Sequence, residues 1–223
     1  MNDLCQIDSL LIGSREAAEE LEQKESARLL VVSDSHGKTD VLEGIIKKFG
    51  PDCDALIFSG DGCWDIASCL EKAYTNTALK EALPPVLALA RGNGDEEQYR
   101  VITDDGTGFP MYVTDRQILK AAGRKIFITH GHRQRVEYGT NALLASSEVL
   151  DCDLVFFGHT HRPYMYEEKN SLLLNPGSCA RPRGGVPPTI AIVEYPSVEE
   201  LYSVEFYQIE ESFGRYKFSR FYN

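Results

Sequence analysis

From residue 28 onward, short apolar runs of β-forming residues alternate with helix-compatible stretches. The runs predict strands over 28–33, 54–58, 86–90, 124–129 and 153–157, and the intervening stretches predict helices over 38–49, 65–82 and 139–150. Such alternation is the pattern of an α/β domain with parallel pairing. After residue 160 the character changes to short strands separated by turns, at 163–168, 171–174, 189–194 and 201–208, which predicts a second, more antiparallel sheet. Residues 104–110, DDGTGFP, read as a surface turn, and 181–188, RPRGGVPP, as a loop too rich in proline and glycine for a regular element. Ahead of this pattern, residues 14–26 predict a helix with Ser14 as N-cap and acidic residues early, where the helix dipole favours them. The expected organisation is a helical extension over 1–27 and a single domain over 28–223, with no internal repeat.

The chemistry is carried by where the polar residues interrupt the apolar runs. LLVVS leads into Asp34-Ser35-His36, ALIFS into Gly60-Asp61, and VLALA into Arg91-Gly92-Asn93-Gly94-Asp95. KIFIT leads into His130-Gly131-His132, and LVFF into Gly158-His159-Thr160-His161. Five strands thus end in metal-competent side chains, and all five histidines of the chain lie in these segments. In an open α/β sheet, ligands bind outside the carboxyl ends of the strands, so groups far apart in sequence converge there. Residues two apart on extended chain project to one side, which pairs Asp34 with His36 and His159 with His161.

The donors are imidazole, carboxylate and amide oxygen, without cysteine at the strand ends, a set that favours manganese, iron, zinc or nickel over a thiolate zinc site. Seven such side chains exceed what one tetrahedral ion uses. Two ions about 3.5–4 Å apart, sharing a carboxylate, account for the number and point to hydrolysis.

Length and charge narrow the picture further. At 223 residues the chain buries roughly 70–75% of its unfolded surface as one domain. A net charge of −11 weighs against broad nucleic-acid binding, which needs a basic surface, but not against a small anion held through bound dications. No stretch approaches the roughly 20 apolar residues of a membrane helix. The six cysteines form no Cys-x-x-Cys pair, and the N-terminus lacks a basic start and a long apolar core, so free thiols and a cytoplasmic location are expected.

The blocks Asp34-x-His36, Gly60-Asp61, Gly92-Asn93-x-Asp95, Gly131-His132 and Gly158-His159-x-His161 resemble, in order, those of the calcineurin-like metallophosphoesterase superfamily. The later Asn175-Pro176-Gly177-Ser178 resembles a turn of its small bacterial and archaeal phosphodiesterase branch, which also contains the eukaryotic retromer subunit. The resemblance implies a four-layer α-β-β-α sandwich with two mixed β-sheets. It further implies one metal on Asp34, His36, Asp61 and His161, and a second on Asp61, Asn93, His132 and His159, with Asp61 as bridge. Two divalent ions, manganese foremost and nickel, iron or zinc as alternatives, would supply a bridging hydroxide that attacks a phosphate ester, a diester foremost.

Many members of this family carry histidine after the motif asparagine, where it protonates the leaving oxygen; this chain has Gly94. General acid catalysis is worth about 100- to 10,000-fold, so the gap matters. His130 is left to serve as that acid or to support a ligand. Asp95 joins the catalytic set as the residue orienting its loop. Arg162, Arg181 and Arg183 are candidates to clamp substrate phosphate. The expected partner is a small phosphate ester, with neither nucleic acid nor membrane, and homo-oligomerisation through the N-terminal helix is left open. Two other functions are weighed: a non-catalytic metal-binding scaffold of the retromer-subunit type, which the intact ligand blocks argue against, and a nuclease, which the acidic balance argues against.

Overall fold

The computed structural model describes residues 2–168, 171–196 and 202–222. The helices are α1 (Arg15–Gln23), α2 (Thr39–Phe49), α3 (Cys63–Thr75), α4 (Thr77–Ala82) and α5 (Asn141–Leu150). The strands are β1 (Ser26–Val32), β2 (Ala55–Phe58), β3 (Val86–Leu89), β4 (Gln98–Val101), β5 (Phe109–Tyr112), β6 (Arg116–Ala121), β7 (Arg124–Thr129), β8 (Leu154–Phe156), β9 (Pro163–Glu168), β10 (Ser171–Pro176), β11 (Thr189–Pro196), β12 (Ser203–Ser212) and β13 (Arg215–Phe221).

Strands that are apolar throughout need cover on both faces. In β1, β2 and β3 the two faces separate with period two. Leu30, Val32, Leu56, Phe58, Leu87 and Leu89 pack against α2, α3 and α4, whereas Leu29, Val31, Ala55, Ile57, Val86 and Ala88 pack against a second sheet. On the far side of that sheet, Phe127, Val155 and Leu173 meet Leu143 of α5. Three apolar clusters thus hold the helices and the two sheets together. The chain is a mixed α/β fold with two mixed sheets.

Sheet membership differs from the expected order. The six-stranded sheet runs β13-β12-β11-β1-β2-β3, with β1, β2 and β3 parallel and β11 antiparallel to β1. The five-stranded sheet runs β6-β7-β8-β10-β9, in which β7, β8 and β10 are parallel. The five strands that carry the polar ends are therefore split between two sheets, and the late strands β11 and β12 return to the first. Local apolar pattern identifies a strand but not its neighbour. β1 lies in mid-sheet with a backbone edge on each side, and β11 satisfies the edge that β2 leaves open.

The helix expected over 65–82 breaks after Thr75, because the Asn76 side chain accepts from the Leu79 N–H (3.1 Å) and caps α4. The turn expected at 104–110 lies in the hairpin of β4 and β5, and neither strand of that pair, nor β6 or β13, was expected. Leu201, the first residue of the strand expected at 201–208, lies outside the described residues. The helix expected over 14–26 is α1, its Ser14 side chain accepting from Ala17 N–H. Ahead of it Ile12 bridges to Leu87, Leu4 and Ile12 are buried against the helix side of the first sheet, and Leu11 and Leu21 are buried between the sheets. All six cysteines are free, five of them buried, and among the described residues no helix is long and apolar enough to cross a membrane.

Candidate metal centre

The loops leaving β1, β2, β3, β7 and β8 meet at one edge of the paired sheets. Asp34, His36, Asp61 and His161 each offer one donor atom, and these atoms lie within 4.8 Å of one another. The His36 and His161 Nε2 atoms are 3.1 Å apart, and His161 Nε2 is 3.1 Å from Asp34 Oδ1. His36 Nε2 lies 3.7 Å from Asp34 Oδ1 and 3.8 Å from Asp61 Oδ2. Donors at about 2.0–2.2 Å from a shared ion are spaced about 2.8–3.6 Å from each other, so these separations are close to those of a ligand set.

Hydrogen bonding behind the donors supports the same reading. His161 Nδ1 contacts the Arg181 carbonyl, which places a proton on Nδ1 and a lone pair on Nε2. Asp34 is fully buried, and its Oδ1 has no hydrogen-bond partner. A buried carboxylate oxygen without partners costs about 1–3 kcal/mol or more. A cation among these four groups removes that cost, and the residues present fit one.

His130 is fully buried. Its Nδ1–H donates to the Ser59 carbonyl at 2.7 Å, and its Nε2 faces Asp61 Oδ2 at 3.4 Å and His159 Nδ1 at 3.3 Å. Asp61 Oδ2 thus lies between His36 on one side and His130 on the other, while its Oδ1 is held by the Gly94 N–H at 2.7 Å. Asn93 is exposed on the same Gly94 loop.

His132, expected as a ligand, has a buried Nδ1 without a hydrogen-bond partner. Its ring centroid is 5.5 Å from that of His130 and 6.2 Å from that of His159, and none of the described carboxylates lies within 4 Å of it. β7 delivers His130 inward, and Gly131 (φ 100°) then turns the chain so that His132 opens a 3-10 turn leading away. His130, expected to serve as the acid or to support a ligand, has both nitrogens engaged, toward the Ser59 carbonyl and the Asp61 carboxylate.

Asp95 acts through backbone. One carboxylate oxygen accepts from Asp61 N–H (2.7 Å) and Gly92 N–H (2.9 Å), the other from Gly62 N–H and Cys63 N–H (both 2.9 Å). It ties the Asp61 loop to the start of α3, which makes it a positioning residue rather than a catalytic one. Arg181 contributes its carbonyl to His161. Arg162 and Arg183 line a neighbouring cleft together with His159.

One support escaped the sequence reading, and a second, the 175–178 turn, was noted there only as a resemblance. Asp65, fully buried in the first turn of α3, accepts from Ser35 Oγ (2.5 Å), Gly37 N–H (2.9 Å) and Thr39 Oγ1 (2.6 Å), fastening the loop that carries Asp34 and His36. Its sequence signal was weak: an acidic residue four places after Asp61. The 175–178 turn does the same from the other side. Asn175 donates to the Gly158 carbonyl and Ser178 Oγ to the Asp34 carbonyl.

Asp34, His36, Asp61, His159 and His161 all have φ between 46° and 70°, a region that costs a non-glycine residue about 1–3 kcal/mol. At these donors the surrounding hydrogen bonds hold the strained backbone in place. Burial opposes ionisation of Asp34, but the contacts of His161 and His36 outweigh it and hold its carboxyl far below the usual range. Burial likewise disfavours charge on His130, yet Asp61 and Asp34 outweigh it and raise its pKa. His132 and His159 are lowered, by burial first and then by His130.

Residues 28–197 match the calcineurin-like phosphoesterase superfamily domain, and the chain belongs to that family. It is 31% identical over 155 residues to the "Probable metallophosphoesterase YsnB" of Bacillus subtilis, covering 70% of this chain and 76% of that one. It is 27% identical over 172 residues to the phosphodiesterase YfcE of Escherichia coli K12, covering 75% and 87%. Among solved structures, a Streptococcus pneumoniae protein described as a predicted phosphoesterase superposes with a TM-score of 0.62 at 24% identity, over 88% of this chain and 99% of that one. Vacuolar protein sorting 29 of Cryptosporidium parvum gives 0.60 at 16%, over 88% and 97%. At these identities the structural matches speak for the fold alone.

Proposed function

We propose that this protein is a dinuclear, metal-dependent phosphoesterase acting on a small phosphate ester, with diesters as the main substrates and the cytoplasm as its location. One cation is held by Asp34, His36, Asp61 and His161, the other by Asp61, Asn93, His130 and His159. The observation that carries this is Asp61, whose Oδ2 lies within 4 Å of both His36 and His130 while its Oδ1 is pinned by backbone. Manganese suits the donor set, with nickel, iron or zinc as alternatives. When bound, the two ions supply a water-derived nucleophile at neutral pH and neutralise charge on the phosphoryl oxygens.

The chain's own groups fix the stage. Ser59 and Arg181 carbonyls set the tautomers of His130 and His161, and Asp95 and Asp65 hold the loops that present the carboxylates. Gly94 leaves no side chain at the family's acid position, and its N–H is committed to Asp61, so esters of good leaving groups are favoured. A scaffold role of the retromer-subunit type is the second reading, motivated by the likeness to vacuolar protein sorting 29. Hydrolysis of chromogenic diester and monoester by metal-stripped protein, with manganese, nickel, zinc or magnesium restored one at a time, separates the two. Metal-restored turnover is expected; two bound equivalents without turnover would favour the scaffold.

A further inference from the structure

Beside His159 the surface opens into a cleft of about 620 Å³, within the roughly 300–1,000 Å³ of small-molecule sites and far larger than a phosphoryl group fills. One side is apolar and aromatic. Phe157 meets the Tyr164 ring edge-on with centroids 6.1 Å apart, and Tyr164 stacks on Tyr166 at an interplanar angle of 27°, which holds the Tyr164 ring in place. The other feature is cationic: Arg162 and Arg183 both line the cleft, and among the described residues neither has a carboxylate within 4 Å. The acid that also lines the cleft, Glu137, lies 3.6 Å from His159 Nε2 and so is directed at that ring. A smaller cleft of about 380 Å³ between α1 and β6 contains no metal-centre residue.

We propose that this cleft receives the organic group that the ester retains, a planar aromatic or heteroaromatic group bearing a second anion, as in a nucleotide diester. The inference rests on the phosphoesterase reading of the adjoining centre and adds the substrate class. A ring lies against Tyr164 because every aromatic base offers a π-face to stack on. The second anion pairs with Arg162 and Arg183, whose planar forks suit phosphate or carboxylate. The net acidic chain admits such a ligand because these two cations and the bound dications lie along one path.

The test keeps the leaving group constant and varies the retained group. Metal-loaded protein is given methyl 4-nitrophenyl phosphate, thymidine 5′-(4-nitrophenyl) phosphate, and the same thymidine ester with a 3′-phosphate. Stacking predicts that kcat/KM rises by about tenfold or more from the methyl to the thymidine ester, and the second anion predicts a further rise of about tenfold. Tyr164→Ala should collapse the first ratio, and the double change R162Q/R183Q the second. Calorimetry with thymidine 3′,5′-bisphosphate on metal-loaded protein gives a readout free of turnover, and R162Q/R183Q should weaken that binding by about tenfold or more. Equal kcat/KM for all three esters, or ratios unchanged in the variants, overturns the inference while leaving the phosphoesterase reading intact. Failure to hydrolyse even the methyl ester with any metal would instead overturn the phosphoesterase reading.

Discussion

Replacing Asp65 with alanine removes one carboxylate and strands three donors. Ser35 is fully buried, so its unpartnered hydroxyl costs about 1–3 kcal/mol. Gly37 and Thr39 are exposed enough to reach water, so each loses only the net value of its bond, about 0.5–1.5 kcal/mol. The loss is about 2–6 kcal/mol, which for a domain of this size lowers the melting temperature by roughly 5–20 °C. Asp65→Asn keeps the shape and one acceptor oxygen and should lose much less. The functional consequence goes further, because the freed loop carries Asp34 and His36. Affinity for the first metal equivalent, measured by competition with a chromogenic chelator, should fall about 10- to 100-fold, the usual effect of removing a group that orients ligands. Wild-type metal affinity in an Asp65→Ala protein that nonetheless melts lower would refute the positioning argument and leave Asp65 a purely structural residue. An unchanged melting temperature would refute the hydrogen-bond count itself.

His130→Ala should cost one of two bound metal equivalents by elemental analysis, whereas His132→Ala should retain both; the opposite outcome would favour His132 as the ligand and refute the His130 proposal. Gly92→Ala places a Cβ 2.1 Å from Asp61 Oδ1, so the Asp61 carboxylate must move; turnover should fall at least tenfold, read as kcat/KM, with a stability loss of about 1–3 kcal/mol. In metal-free protein the raised His130 contributes stability that is complete below the unfolded value of about 6.5 and is lost as pH rises through the folded value. His132 and His159, lowered, act only at and below about 6.5, so denaturant unfolding from pH 6.5 upward should show a decline that His130→Ala abolishes. Metal binding displaces the same proton, which calorimetry in buffers of different ionisation enthalpy would count.

Local pattern made most of this protein legible. Each of the predicted runs before residue 160 became a strand because three to five consecutive apolar residues rich in β-formers are too short for a buried helix, and the polar interruptions at their ends marked the candidate donors. The clustering of Asp34, His36, Asp61 and His161 was readable from their types and spacing at strand ends. The split helix at Asn76 was also written locally, as a capping residue. What lay beyond the sequence were choices between equals. Thr129-His130-Gly131-His132 offers two imidazoles, and only the turn at Gly131 decides that His130 faces Asp61. Sheet membership is the same kind of choice: β7 and β11 have buried apolar centres like β2, and which of them neighbours β1 depends on backbone edges left open elsewhere. The cleft at Tyr164, Arg162 and Arg183 and the anchoring of Asp65 arise from contacts between segments far apart in the chain, where no local periodicity records the partner.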